Sequence, residues 1–207
     1  MNAVAIWVSA LLVYALFWSW YVGFRRKVTA KEVDEVMALI ATHDRLTEQQ
    51  RENVRRFMLK DDGKDFVMVN LLLLKNPRRE SAKKLARYQK VFLGALLRKA
   101  GHPVMVAMAA SGNVENVACD QDEGWGVAGM IRYRSRRDLM EILPATIGSE
   151  HHDLKLESLE RTFAFPAAPW FLFGGPKVIV PLCIALLAAL LHLAMGSHGV
   201  WSHIVAL

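Results

Sequence analysis

Charge is absent from both ends of the chain and periodic hydrophobicity fills the middle. Residues 1–24 and 178–207 contain no Asp, Glu, Lys or Arg. Ala3 to Val22 is an apolar run of about 20 residues, which as a helix spans about 30 Å, the thickness of a hydrocarbon core. It starts without basic residues, lacks a small-x-small cleavage site, and ends in Trp18, Trp20 and Tyr21 followed by Arg25-Arg26-Lys27. This pattern predicts an uncleaved anchor with an interfacial aromatic belt rather than a cleaved signal. Val178 to Met195 predicts a second span. Its alanines and leucines favour helix, and Pro181 falls in its first turn, where a missing N–H costs little. The tail Gly196–Leu207 is short, apolar and His-bearing, and either lies in the far interface or folds back.

Between these ends the periodicity changes element by element. Thr29-Ala-Lys-Glu32 and Thr47-Glu-Gln-Gln50 are capping boxes, each starting an amphipathic helix. The first carries Val33, Val36, Met37 and Ile40, and the second Val54, Phe57 and Met58. Together they form a helical arm that Asp61-Asp62-Gly63 ends with turn chemistry. Phe66 to Leu74 predicts a strand that is apolar on both faces and therefore covered on both, interrupted by Asn70. Ser81 to Ala100 turns helical, with Leu85, Tyr88, Phe92 and Leu96 on one face and Lys83, Lys84, Arg87, Lys90 and Arg98 around it. Gly101 is placed as a C-cap. Strands follow at Pro103–Ser111 and Gly126–Arg134. A capped helix begins at Ser135-Arg-Arg-Asp138, a further helix runs from about Glu150 to Arg161, and Thr162–Phe165 closes as a strand.

The chain therefore divides into an anchor at 1–24, an arm at 25–60, an α+β domain at 61–168, and a second span with its tail at 169–207. The domain's order, βαββαβ with the last helix split, is the split βαβ or ferredoxin-like plan. Composition changes this picture in one respect. The apolar content of 53% is raised by the spans above that of an ordinary domain, and the net charge of +6 belongs to the middle. Arg25, Arg26, Lys27 and Lys31 follow the first span and Arg161 and Lys177 precede the second, while the outer ends have no Lys or Arg. The positive-inside rule then predicts a two-pass protein of the inner (plasma) membrane, with its domain cytoplasmic and both termini outside. Cys119 in the domain and Cys183 in a span predict no intramolecular bridge.

The stretches DDGKDFVMVNLL, GHPVMVA, WGVAGMIRYRSRRDLMEIL and EHHDLKLESLERTFAF, with the Tyr88 helix between the first two, resemble the small uncharacterised proteins of the dimeric α+β-barrel superfamily. The resemblance covers about residues 57–166 and departs from that branch at Arg134, where proline is usual, and in the two spans. It implies a homodimer whose two sheets face each other, with a pocket between sheet and helices. Relatives in the superfamily include antibiotic-biosynthesis-type monooxygenases, muconolactone isomerase-like enzymes and several haem enzymes.

Candidate site residues follow from the residues and from this resemblance. Asn70, a polar group in an apolar strand, must be satisfied or cost about 1–3 kcal/mol; it either orients a ligand or bonds backbone. His151 and His152 open the last helix, and His151 is the candidate acid or base near neutral pH, because the matching family segment often has a histidine there. Adjacent helical residues point about 100° apart, and no ligand spacing supports a metal site. Tyr88, Trp125, Arg132 and Tyr133 complete the candidate ligand-binding set, with alternation sending Arg132 and Tyr133 to opposite faces. No phosphate loop, nucleophile elbow, CxxC or HExxH occurs, which argues against nucleotide hydrolysis, serine hydrolysis and zinc proteolysis.

Two functions fit. One is a membrane-anchored cytoplasmic domain that binds a small lipophilic molecule from the bilayer, with a cofactor-independent oxygenase- or isomerase-like activity. The other is a non-enzymatic accessory subunit of a larger membrane complex, for which Ala185 and Ala189 offer a small-xxx-small helix contact. Nucleic acid is not an expected partner, because the aromatics of the basic helix lie on its core side. The basic face suits an anionic leaflet. His192, near the outer end of the second span, is expected to meet interfacial water.

Overall fold

A computed structural model of the chain describes residues 2–43, 46–115, 117, 124–146, 150–170 and 174–204, with backbone alone at 43, 145–146, 150–152 and 197–204. It divides into two compact units, Phe24–Pro169 and the two ends of the chain, Met1–Gly23 with Trp170–Leu207.

The unit formed by the ends contains α1 (Ala3–Tyr21) and α7 (Pro176–Ile204). Asn2 caps α1 by accepting from the Ala5 N–H at 2.8 Å. Ala3–Tyr21 and Pro176–Gly196 are both long and apolar enough to cross a membrane. They do not form a soluble core. Among their described residues only Ile6, Tyr21 and Ala188 are buried, while Leu11, Leu16, Leu186 and Leu190 are each more than half exposed. The helix is longer than the second apolar run suggests: it begins at Pro176, and the tail continues it to Ile204 instead of folding back. Ala188 is the buried small residue, whereas Ala185 is exposed and Ala189 half-buried. His192 does not simply face water, because its Nδ1 accepts from Trp7 Nε1 at 3.1 Å.

The unit Phe24–Pro169 is an α+β fold. Its elements are α2 (Ala30–His43), α3 (Glu48–Leu59), β1 (Phe66–Leu74), α4 (Arg78–Arg98), β2 (His102–Met108), β3 (Val127–Tyr133), α5 (Arg136–Thr146), α6 (Glu150–Ser158) and β4 (Leu159–Ala167). The strands form one antiparallel sheet in the order β2-β3-β1-β4. β1 occupies the expected residues and is central, but the expected cover on both faces is present on one only, since Val69 and Leu71 join no cluster and are half-buried. The last strand starts three residues earlier than its pattern suggests. Leu159 is buried in the core, and pairing of Leu74 with Leu159 and Leu73 with Arg161 satisfies backbone that a longer helix would have bonded internally. β4 pairs only with β1, so Pro166 is tolerated on an edge strand.

Paired residues share a face, so the register sorts the sheet into two sides. Phe66, Met68, Asn70 and Leu72 stand opposite Tyr133, Ile131, Gly129 and Val127 on the helix side. Two apolar clusters form there. One joins Phe66 and Tyr133 to Val33, Met58, Leu96, Leu139, Met140 and Ile142. The other joins Leu72 to Leu85 and Leu159, with Tyr88 packed against it. The arm is thus part of the fold, since Val33 and Met58 are each only 1% exposed within the first cluster. On the opposite side, Val69, Leu71, Met130, Phe163 and Phe165 join neither cluster, and Phe163 and Phe165 are about half exposed at 55% and 44%.

A cluster of arginines and carboxylates at the start of α5 ties the segment after Gly23 to this core. Ser135 caps α5, its Oγ accepting from the Asp138 N–H at 3.1 Å. Arg134 donates to both Asp138 oxygens at 2.8 and 3.0 Å, and both residues are buried. Arg137 donates to the Arg26 and Lys27 carbonyls at 2.7 and 2.8 Å and to both oxygens of Glu32. Those bonds, with those from Thr29, hold the Glu32 carboxyl well below the usual carboxylate range. Asp61, after α3, joins its own turn to the segment before α2, accepting from the Gly63 N–H at 3.0 Å and the Val28 N–H at 2.9 Å.

Replacing Asp138 leaves Arg134 buried without its counter-charge. Asp138→Ala should therefore destabilise this unit by about 3–5 kcal/mol, read as a lower midpoint of denaturant unfolding. Lys84→Ala removes an exposed ion pair to Glu157 and should cost less than about 1 kcal/mol.

Candidate functional site

The two clusters on the helix side leave a polar row between them, Asn70 opposite Gly129. Asn70 is half-buried, and its Nδ2 donates to the Met68 carbonyl at 3.0 Å and the Gly129 carbonyl at 3.4 Å. Backbone bonding thus satisfies the donor half of the carboxamide. Among the described residues nothing donates to Oδ1. Gly129 is buried, yet a Cβ built on it would meet no heavy atom within 4 Å. Unfilled space therefore adjoins the one polar side chain of this face of β1.

Aromatic rings run through the interior from Tyr88. Tyr88 stacks on Phe92 with centroids 5.7 Å apart, Phe92 meets Tyr133 at 6.4 Å, and Tyr133 stacks on Phe66 at 5.0 Å. These separations are those of favourable ring pairs. Burial pushes the Tyr88 hydroxyl up to about 12. It raises Tyr133 further, with Tyr88 adding repulsion. Both phenols stay protonated near neutral pH, which suits them to donate hydrogen bonds and not to act as bases. Neither hydroxyl has a hydrogen-bond partner among the described residues.

Lys155, which sequence reasoning passed over, belongs to the same region. It is half-buried on α6, its Nζ lies 5.7 Å from the centre of the Tyr88 ring, and desolvation pulls its pKa down. It has no hydrogen bond or ion pair from its amine among the described residues. The chain gives no local signal for it, because most residues of α6 are polar and Lys155 is half-buried only in the folded unit.

The remaining candidates lie elsewhere. Arg132 is 3% exposed on the face opposite Tyr133, as alternation requires, and its guanidinium holds Asp65 at 2.9 Å and the Ala100 carbonyl at 2.8 Å. That commits it to structure. Trp125 is half-buried just before β3. His151 and His152 fall in the first turn of α6, but their side chains, like all of Cys119, lie outside the described residues. A shallow surface cleft lined by Asn53, Arg56, Phe57, Lys60 and Arg136 includes none of the expected residues. Among the described residues no group of three or more His, Cys, Asp or Glu is placed to hold a metal.

The class these observations define is an α+β protein with a four-stranded antiparallel sheet and two helices of membrane-crossing length. No family model matches the sequence, and no curated protein matches it. Among solved structures it is similar to the RPA0582 protein of unknown function from Rhodopseudomonas palustris and to methylated RPA0582. Each is 18% identical with a TM-score of 0.49, covering 63% and 64% of this chain and 98% of those chains. At that identity neither speaks to the chemistry of the site.

Two glycines test the packing. Gly129→Ala places its Cβ in open space and should leave the melting temperature unchanged or slightly raised, by up to about 1 kcal/mol of stability. Gly101 is required by crowding, since its Cβ would fall 2.4 Å from Leu96 Cδ1 and 2.9 Å from the Arg132 carbonyl; the left-handed residue at this helix end is Ala100, at φ 55°. Gly101→Ala should lower the melting temperature clearly.

Proposed function

We propose that this protein is a membrane-anchored, ferredoxin-like domain of the dimeric α+β-barrel type that binds a small lipophilic molecule between its sheet and its helices. The observation that carries the reading is the Asn70–Gly129 row. A polar group whose acceptor has no partner among the described residues, with an adjoining unfilled space, interrupts a largely apolar interior, which is the composition of a small-molecule site. Tyr88, Tyr133 and Phe92 supply aromatic walls and protonated hydroxyls. His151 remains the candidate acid or base of an oxygenase- or isomerase-like activity.

The strand order β2-β3-β1-β4, with all pairings antiparallel, supports the ferredoxin-like assignment. Homodimerisation uses the open side of the sheet, where Phe163 and Phe165 are exposed. Burying one such ring is worth about 1.5–3 kcal/mol, so Phe165→Glu should convert the dimer to a monomer by light scattering. An unchanged mass would remove this interface from the proposal. The basic residues flanking the spans support a cytoplasmic domain with both termini outside the inner membrane. Alkaline phosphatase fused after Leu207 should be active, and an inactive fusion would reverse the orientation.

Binding itself is tested by photolabelling the full-length protein in phosphatidylcholine nanodiscs with the methyl ester of a diazirine-bearing decanoic acid. Labelled peptides should come from β1, β3 and α4 as well as from the spans. Gly129→Leu, which fills the space, should reduce the interior labelling at least about fivefold, a loss near 1 kcal/mol. Labelling confined to α1 and α7 would contradict the reading.

A further inference from the structure

Among the described residues, the buried and half-buried cations of the domain have counter-charges, with one exception. Arg132 is paired with Asp65, Arg134 with Asp138, and Arg137 with Glu32. On the outer surface Lys84 pairs with Glu157, and Lys99 with Glu141. Lys155 stands apart. Among the described residues its amine has neither a carboxylate nor a carbonyl, and its neighbour is the face of Tyr88. Glu157, two residues on, is already held by Lys84 at 2.6 Å, and Asp153 is exposed. The side chain is half-buried with its amine still reached by water, and an ammonium that has lost part of its hydration gains from an anion what an aromatic face supplies only in part.

The surroundings supply the rest of a binding site for an amphiphile. Tyr88 stacks on Phe92 and packs against the cluster of Leu72, Leu85 and Leu159, so apolar surface leads away from the amine. An amine with no counter-ion among the described residues, at one end of an apolar region, matches a ligand with a carboxylate head and a hydrocarbon body.

We propose that Lys155 is the head-group contact for a lipophilic carboxylate, whose apolar part lies along Tyr88 and Phe92. This rests on the helix–sheet interior being the ligand site and adds the chemical class of what it takes. The carboxylate supplies the ion pair that no described residue gives this amine. Desolvation sharpens the selection: it depresses the free amine's affinity for a proton, and an incoming carboxylate restores it. A neutral ligand of the same shape forgoes this pairing.

The test compares diazirine-bearing decanoic acid with its methyl ester on the full-length protein in phosphatidylcholine nanodiscs. Labelling of α4 and α6 peptides is normalised to that of α1 and α7, which cancels unequal partition into lipid. The acid should label the interior at least about fivefold more than the ester, since charge-assisted bonds exceed neutral ones. Lys155→Met should bring the ratio to about one while ester labelling persists, and Lys155→Arg should keep it above one. A wild-type ratio of one, with the interior still labelled, overturns the role of Lys155 and leaves the site standing. An interior labelled by neither probe overturns both. Should Lys155→Met lose ester labelling as well, the wild-type ratio and Lys155→Arg decide the matter.

Discussion

The fold of the charged unit depends on how its arginines are neutralised at the start of α5. The chain leaves the first apolar helix with Arg25, Arg26 and Lys27 in succession, a basic run that would ordinarily be solvated. Here Arg137 reaches back to two carbonyls of that run and to Glu32, the capping residue of α2. Arg25 joins Arg134 on the buried carboxylate of Asp138, at 3.4 Å. Helix capping, loop docking and ion pairing are therefore one network, in which Glu32 also accepts from the Thr29 N–H and Asp138 from the capping Ser135 hydroxyl. Such a network is costly to break, because removing one member strands a buried charge. It holds α2 and α3 where Val33 and Met58 complete the core.

With that end secured, the sheet can keep one weak row. β1 is covered on its helix side by two clusters, and between them lies Asn70 opposite Gly129. An apolar residue at 70 and a larger one at 129 would join the clusters into a continuous core. The chain instead holds an amide there whose donor is satisfied and whose acceptor has no partner among the described residues. Lys155, beside the Tyr88 ring, is a second half-buried polar group with no partner among the described residues. Both fit the ligand site proposed above.

Much of this was legible along the chain. β1 has the bounds its pattern predicts, both threonine capping boxes form, and Ser135 caps α5. These features are local, decided by side chains three or four residues apart. What sequence obscured is set by long-range contacts. Arg134 replaces the proline usual in the resembling branch, and its purpose becomes visible only once Asp138 and Arg25 converge on it. Lys155, amid the polar residues of its helix, reads as a surface charge until α6 is seen against α4. The change from α6 to β4 at Leu159 likewise depends on β1 offering a pairing edge. Asn70 was visible as an anomaly, but only the open space over Gly129 gives it a context.

The central claim is that the space between sheet and helices is a binding site for a lipophilic molecule. It is tested most directly by asking what the protein carries. Full-length protein purified gently from its membrane, then unfolded and extracted, should release close to one equivalent per chain of a specific carboxylate-bearing lipophile by mass spectrometry, absent from Gly129→Leu protein prepared alongside. Release of only bulk phospholipid, identical in both preparations, would contradict the account.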